Sequence, residues 1–246
     1  ATATPLPTST PQPTPTQAPV EVAVVEDFLY ASGVESTAGN QRLDIYHLPG
    51  ANEQKPLVIW THGYSDKKHH DSSLAKSLAE EGFVVLSINW LDRAVVQNSL
   101  ENLREATEDA ECALRFAAEN AEKYGADPEN VIWAGFSAGA WMGSTISFAE
   151  GDLQGEWDAY AAANDGPEQR VECSAVAEPA HVKGFVGNSG GYEGDFWLGD
   201  PVRDDWTAAF LPLQMISAIG NNPDLQIRII HGRDDPFEET TFEAAE

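Results

Sequence analysis

Apolar positions along this chain repeat with two different periods. Leu57–Thr61 (LVIWT) and Phe83–Trp90 (FVVLSINW) are nearly continuous apolar runs, as expected of strands buried on both faces. Val131–Phe136 (VIWAGF), Val182–Asn188 and Ile227–Ile230 read the same way, and Val20–Tyr30 and Leu43–His47 predict two opening strands. Between these runs the period becomes helical. Asp71–Glu81 puts Leu74, Leu78 and Ala79 on one face, and Gly82 stops it. Asn98–Tyr124 carries Leu100, Leu103, Ala106, Ala110, Ala113, Leu114 and Ala117 at helical spacing, with Gly125 as its expected cap. Ala138–Phe148 and Trp206–Ile219 predict further helices, and Gly50–Lys55 a polar turn. Strands alternating with helices predict the α/β class: a mostly parallel sheet with helices on both faces.

The first 19 residues, ATATPLPTSTPQPTPTQAP, follow neither period. Pro, Thr, Ala, Ser and Gln cannot build a core, so residues 1–19 read as an extended tether ahead of one domain over 20–246. Such tethers follow a removed signal peptide or a lipid-anchored cysteine in exported bacterial proteins. The expectation is therefore a secreted or cell-surface protein, with a possible lipid anchor upstream of residue 1. An ordinary interdomain linker is the alternative. The 40 acidic and 14 basic residues give a formal charge of −26, the wrong sign for nucleic acid or an anionic membrane surface. No apolar run reaches membrane-spanning length.

Chemistry enters at Gly135-Phe136-Ser137-Ala138-Gly139, a Gly-x-Ser-x-Gly match that directly follows one apolar strand and opens a helix. This context resembles the nucleophile elbow of the α/β-hydrolases. The serine must sit on a sharp, strained turn. Side chains at Gly135 and Gly139 would collide with neighbouring backbone. The first amides and the dipole of the next helix favour the negative oxygen formed during acyl transfer.

Upstream, Thr61-His62-Gly63-Tyr64-Ser65 leaves the strand Leu57–Thr61. A His-Gly pair there resembles the oxyanion loop of the same fold, which implies the Tyr64 and Ala138 N–H groups as the two donors. Tyr64 and Ser65 stand where the lipase and esterase pattern His-Gly-Gly-Gly has its later glycines. The Tyr64 ring is therefore expected to shape the acyl pocket. His62 reads as structural rather than catalytic, and His69 and His70 as solvated loop residues.

Downstream, Ile227–Ile230 runs into His231-Gly232-Arg233-Asp234-Asp235-Pro236. This resembles the segment whose aspartate orients the catalytic histidine, and the match selects Asp235, with Asp234 as the fallback. None of the six histidines follows it. The expectation is that these residues stop short of the last helix and strand of the fold, with the catalytic histidine beyond Glu246. Little turnover is then expected from the 246 residues themselves.

Glu111–Phe116, the turn Tyr124-Gly125-Ala126-Asp127-Pro128 and the elbow, in this order, resemble the exported bacterial carboxylesterases related to hormone-sensitive lipase and to feruloyl or acetyl esterases. The resemblance implies hydrolysis of a small carboxylic ester through an acyl-serine, with no cofactor or metal. A polyester or acyl-peptide hydrolase of the same fold is the sister reading. A non-catalytic tethered binding domain is the reading from another class.

Cys112 and Cys173 could bridge in an exported protein and pin the segment Glu150–His181 to the long helix; two separate thiols are the alternative. Tyr192, Phe196 and Trp197 follow a strand on the active-site side of the sheet, as pocket or lid residues or as packing anchors.

Overall fold

A computed structural model of the chain describes residues 21–33, 41–50, 53–91, 100–148, 171–190 and 225–230, with Gly155, Trp157, Asp158, Ala161, Ala162, Glu168 and Gln169. The expected helix Trp206–Ile219 and the tether lie outside these residues, as do Asp235, Tyr192, Phe196 and Trp197.

The strands are β1 (Ala23–Leu29), β2 (Ala31–Ser32), β3 (Arg42–His47), β4 (Lys55–Thr61), β5 (Val84–Ile88), β6 (Ala126–Phe136), β7 (Glu172–Cys173), β8 (Val182–Asn188) and β9 (Gln226–Ile230). The helices are α1 (Ser72–Glu80), α2 (Leu100–Asn120) and α3 (Ala138–Phe148). Seven strands form one sheet in the order β1-β3-β5-β4-β6-β8-β9, while β2 and β7 make a separate two-stranded ribbon. β3 runs antiparallel to both its neighbours, and β5, β4, β6, β8 and β9 are mutually parallel.

Alternation along the central strands sends side chains to two cores. Leu57 and Ile59 join Ala106, Ala110 and Leu114 of α2 and Met142 and Ile146 of α3. Val58 and Trp60 join Ala75 and Ala79 of α1 on the opposite face. Both faces are therefore covered by helix, which is why the strands read as unbroken apolar runs.

Several boundaries differ from expectation. β6 begins at Ala126, not Val131. Its polar first residues still pair with β4, Lys55 with Ala126 and Pro56 with Asp127, and a register shift at Pro56/Leu57 absorbs the irregularity. The long helix stops at Asn120 and tightens into a 3-10 turn over Ala121–Tyr124. Gly125, at φ +80°, ends it in the left-handed conformation. The opening strand divides at Tyr30, so that Ala31–Ser32 pairs with Glu172–Cys173 instead of continuing along β3.

The topology decides where chemistry can occur. β4 and β6 lie side by side at the centre, with Thr61 opposite Gly135. Their carboxyl ends therefore deliver the loop from His62 and the corner at Ser137 to one place. β8 and β9 continue the row, with Asn188 opposite both Phe136 and Ile230.

Candidate active site

Ser137 occupies the corner between β6 and α3, at φ +52°. A non-glycine residue rarely adopts this conformation, and the surroundings must over-determine it. They do so from both sides. The Ser137 N–H donates to the Asn188 carbonyl at 2.8 Å, tying the corner to β8. The Ser137 carbonyl accepts the N–H groups of Ala140 at 3.0 Å and Trp141 at 3.2 Å, starting α3. Ala138, as the first residue of α3, has no helical carbonyl behind it, so its N–H is one of the helix's open donors.

The two flanking glycines are steric necessities. A Cβ on Gly139 would run into the Thr61 and His62 carbonyls, and one on Gly135 into the Gly139 backbone and the Thr61 hydroxyl. The first turn of α3 thus lies directly against the exit of β4. Thr61 bolts the two together: its hydroxyl donates to the Gly139 carbonyl at 2.8 Å and accepts from the Trp133 indole at 3.1 Å.

The loop leaving β4 is held along its length. Gly63 faces Phe136, the neighbour of the serine, so closely that an added Cβ would lie 3.1 Å from the ring. The Gly63 carbonyl accepts the Asp66 N–H at 3.2 Å, closing a four-residue turn whose third residue, Ser65, sits at φ +64°. His62 is buried, its Nδ1 lies 2.8 Å from the Gly63 carbonyl, and its own carbonyl accepts the Trp90 indole N–H at 3.2 Å. Tyr64 is 45 % exposed.

Further along, the Lys68 N–H donates to the Asn89 side chain at 2.7 Å, and Ser87 donates its hydroxyl to the Lys68 carbonyl at 2.6 Å. The Lys68 ammonium is buried against Asp44 at 2.5 Å and reaches Asp27 at 3.0 Å. Burial works against that charge, but the two carboxylates outweigh it and raise the lysine above its ordinary value.

Residues 89–91 brace this loop and are themselves anchored. Tyr30 donates its hydroxyl to the Asn89 carbonyl at 2.5 Å, and the Leu91 N–H reaches Asp109 at 3.0 Å. Asp109 also accepts from Gln41 at 2.7 Å. Burial pushes the Asp109 carboxyl up to about 8; the Gln41 and Leu91 hydrogen bonds oppose this, and the neighbouring Glu105 and Glu108 add to it.

The described residues bring together Ser137, Ala138, Gly135, Gly139 and the loop carrying Tyr64. β9 ends two strands from the corner, at the same end of the sheet, and the Ser189 N–H donates to the Ile230 carbonyl at 2.8 Å. Asp235 follows β9 in sequence and lies outside the described residues. Cys112 and Cys173 are bonded, with Cα atoms 4.9 Å apart, and join α2 to β7. Sequence reasoning missed the bracing set of Tyr30, Lys68, Asn89 and Trp90. Their bracing partners lie from 19 to 144 residues away in sequence, and no local motif marks them. Among the described residues, no group of three or more His, Cys, Asp or Glu side chains could hold a metal ion. Nor is any described helix long and apolar enough to cross a membrane.

The strand order and the strand–serine–helix corner define the fold as that of the α/β-hydrolases. The profile of the BD-FAE family matches residues 43–240, and the chain belongs to that family of α/β-hydrolase esterases. It is 30 % identical over 158 residues to a probable isoprenylcysteine alpha-carbonyl methylesterase of Oryza sativa subsp. japonica, covering 61 % of this chain. The match spans about a third (32 %) of the length of that relative. Among solved structures, Esterase B of Lactobacillus rhamnosis superposes with a TM-score of 0.63 at 17 % identity, over 93 % of this chain and 71 % of that one. A truncated carbohydrate esterase from gut microbiota gives 0.60 at 15 % identity, over 94 % of this chain and 99 % of that one.

Proposed function

We propose that the chain is a carboxylic ester hydrolase that works through an acyl-serine at Ser137. The observation that carries this reading is the corner itself. A serine at φ +52° ends a central strand, and the helix amides behind it are packed against the loop from β4. Such strain is retained where it serves a site.

In the reaction, the Ser137 Oγ attacks the ester carbonyl while its proton passes to a general base. The carbonyl oxygen takes up the negative charge, facing the Tyr64 and Ala138 N–H groups. Collapse of the tetrahedral species expels the alcohol, which leaves with the proton from the base. Water then hydrolyses the acyl-serine by the same route. Asp235 is assigned to hold and orient a histidine base.

The described histidines do not take that place readily. His47 and His181 adjoin the amino ends of the parallel strands, at the far side of the sheet. His62 is buried under its own loop, with Nδ1 committed to the Gly63 carbonyl. His69 and His70 are exposed, and His70 Nδ1 lies 3.3 Å from Asp66. We therefore expect residues 1–246 to turn esters over slowly compared with a form that supplies that histidine. The tether and the excess of acidic residues support export to the cell surface or medium.

The test is p-nitrophenyl acetate turnover by the 246-residue chain, its Ser137→Ala variant and its His70→Ala variant. Modification by a fluorophosphonate, mapped by mass spectrometry, accompanies it. The reading expects slow, Ser137-dependent turnover and the label on Ser137. Turnover unchanged in Ser137→Ala would refute it. Brisk turnover abolished by His70→Ala would keep the nucleophile and move the base to the His70–Asp66 pair.

A further inference from the structure

We infer that the bond between Cys112 and Cys173 is a redox-sensitive latch: a dithiol that opens it frees residues 171–180 from α2 and, through Tyr30, slackens the loop after β4. The consequence at Ser137 rests on the proposed acyl-serine chemistry; the release of the segment does not.

Among the described residues, the noncovalent hold on this segment is light. Val171, Ala175 and Ala180 are its buried apolar residues, while Glu172, Ser174, Val176 and Glu178 are exposed. Burying one valine and two alanines contributes little. The hydrogen bonds to α2 run mostly to charged side chains. The Val171 N–H donates to Glu108 and the Val176 N–H to the exposed Glu119, each at 3.0 Å, and Arg115 donates to the Ala177 carbonyl at 3.0 Å. The Ala180 N–H reaches the Leu114 carbonyl at 3.2 Å. Glu108 and Glu111 are buried here and would gain hydration if the segment lifted. β7 pairs with β2 over Ala31–Cys173 and Ser32–Glu172, too short a ribbon to stand alone. The covalent bond supplies the remaining hold, joining positions with a sequence separation of 61.

The bond is accessible from one side. Cys112 is 1 % exposed, whereas Cys173 is half-buried. Both line a cavity of about 290 Å³ between α2 and the segment, together with Glu111, Arg115 and Gln169. A thiolate of the dithiol attacks the Cys173 sulfur. The bond between the two cysteine sulfurs breaks, and Cys112 leaves as a thiolate and takes a proton. The second thiol of the reductant loses its proton and displaces Cys173, which leaves as the other free thiol. Two electrons pass to the protein, and the reductant departs as a cyclic disulfide.

Release is transmitted through one tyrosine. Ser174, next to Cys173, donates its N–H at 3.0 Å and its hydroxyl at 2.9 Å to the Tyr30 carbonyl. The Tyr30 hydroxyl donates to the Asn89 carbonyl at 2.5 Å, and the Asn89 side chain accepts the Lys68 N–H at 2.7 Å. Lys68 lies on the loop that leads back to Tyr64. When Ser174 moves away, the Tyr30 carbonyl loses two donors at once, and a carbonyl so stripped is drawn toward water. An oxidising medium therefore keeps the loop braced, and a reducing one leaves it slack.

The experiment follows the 246-residue chain when oxidised, after dithiothreitol and after reoxidation, beside a variant carrying both Cys112→Ser and Cys173→Ser. Alkylation read by mass spectrometry verifies that the bond is open. Amide hydrogen exchange at Ser174, Val176 and Ala180 is taken as a ratio to that at Ile59 and Trp133 in the central strands, because a loss of overall stability raises both alike.

The inference expects this ratio to rise about 100-fold on reduction and to return on reoxidation. Fluorophosphonate labelling of Ser137 should slow about 10-fold in step with it. The double variant should match the reduced chain and ignore dithiothreitol, since the sequence has two cysteines. Should that variant not fold, the reduced parent carries the test. An unchanged ratio with both thiols alkylated overturns the inference, and so does a bond that opens only in urea. A raised ratio with unchanged labelling overturns the relay through Tyr30. A raised ratio in a chain that never takes the label supports the latch and overturns the nucleophile reading instead.

Discussion

Thr61 is where strand β4, the corner at Ser137 and the first turn of α3 are fastened, and its replacement tests that fastening quantitatively. The residue is fully buried. Its hydroxyl has one hydrogen and faces two carbonyls, Gly139 at 2.8 Å and Ala134 at 3.3 Å, so the hydrogen belongs to the nearer. Its lone pairs receive the Trp133 indole N–H at 3.1 Å. Thr61→Val keeps the shape and deletes the hydroxyl. The Gly139 carbonyl loses one bond but can still accept within α3, a loss of about 1 kcal/mol. The Trp133 N–H is left buried without its acceptor, at about 1–3 kcal/mol. The total is about 2–4 kcal/mol. Thr61→Ser deletes a methyl group and keeps the hydroxyl, at about 1 kcal/mol. The expected order of stability is therefore parent, then Ser, then Val, whereas hydrophobicity alone would put Val first.

Urea unfolding at 25 °C followed by tryptophan fluorescence measures this, with the midpoint read at constant slope. A double-mutant cycle with Trp133→Phe isolates the pair: the phenylalanine change should cost about 1–2 kcal/mol less on the Thr61→Val background than on the parent. Fluorophosphonate labelling of Ser137 should slow in Thr61→Val. Thr61→Val as stable as Thr61→Ser, with no coupling to Trp133, would refute the claim that this hydroxyl fastens the corner.

Three further outcomes are expected. Arg104 is buried, bound to Glu108 at 2.7 Å and to Asp158 at 2.6 Å, so Arg104→Met should cost about 3–5 kcal/mol in urea unfolding by stranding the Glu108 carboxylate; a cost below about 1 kcal/mol would contradict this. Replacing Cys112 and Cys173 together by serine opens a loop with a sequence separation of 61 and should cost about 4 kcal/mol in the chain-entropy model, read from the urea midpoint against the oxidised parent. The Asp109 carboxyl should titrate near 8 by carbon-13 NMR. Its folded value is raised above the unfolded value of 3.8, so the folded state holds a proton that the unfolded state has lost. This group's contribution to stability is full below about pH 4 and declines as pH rises to about 8, and a midpoint below 5 would contradict it.

Much of this organisation could be read from the sequence wherever the information is local. The elbow is legible because its glycines, its serine and the apolar strand before it fall together in residues 131–139. The central strands are legible because burial on both faces leaves no polar interruptions. The bond between Cys112 and Cys173 required a choice between bridge and thiols, with just two cysteines in the chain. What escaped was set by distant partners. Ala126 and Asp127 read as part of a turn, yet Lys55 and Pro56 recruit them into β6. Arg104, Glu105, Glu108, Asp109 and Glu111 look like the solvated side of an amphipathic helix, yet all are buried. Trp157 donates to Thr107, the Val171 N–H to Glu108, and Asp158 pairs with Arg104. A charged stripe on a helix predicts solvent unless another segment covers it, and no pattern within the helix reveals that segment.

The same distinction explains how the polar groups around the site are distributed. Oxyanion stabilisation depends on donors already aimed before the charge appears, in surroundings that do not relax around it. Of the two donors in the proposed function, the N–H of Ala138 comes with a helix and needs no further support. The N–H of Tyr64 lies on a loop and has no such inheritance. Its loop is accordingly the element that collects buried polar partners: His62, Lys68 with Asp44, Ser87, Asn89 and the Trp90 indole. The bracing corner at 89–91 is then fixed by Tyr30 and Asp109. Tyr30 in turn holds Ser174, beside the disulfide, through its carbonyl. Burying a lysine and several carboxylates costs free energy that an apolar core would not spend. That cost falls on the donor without a helix to aim it, which points to rigidity of the oxyanion loop, more than to overall stability, as what this polar network maintains.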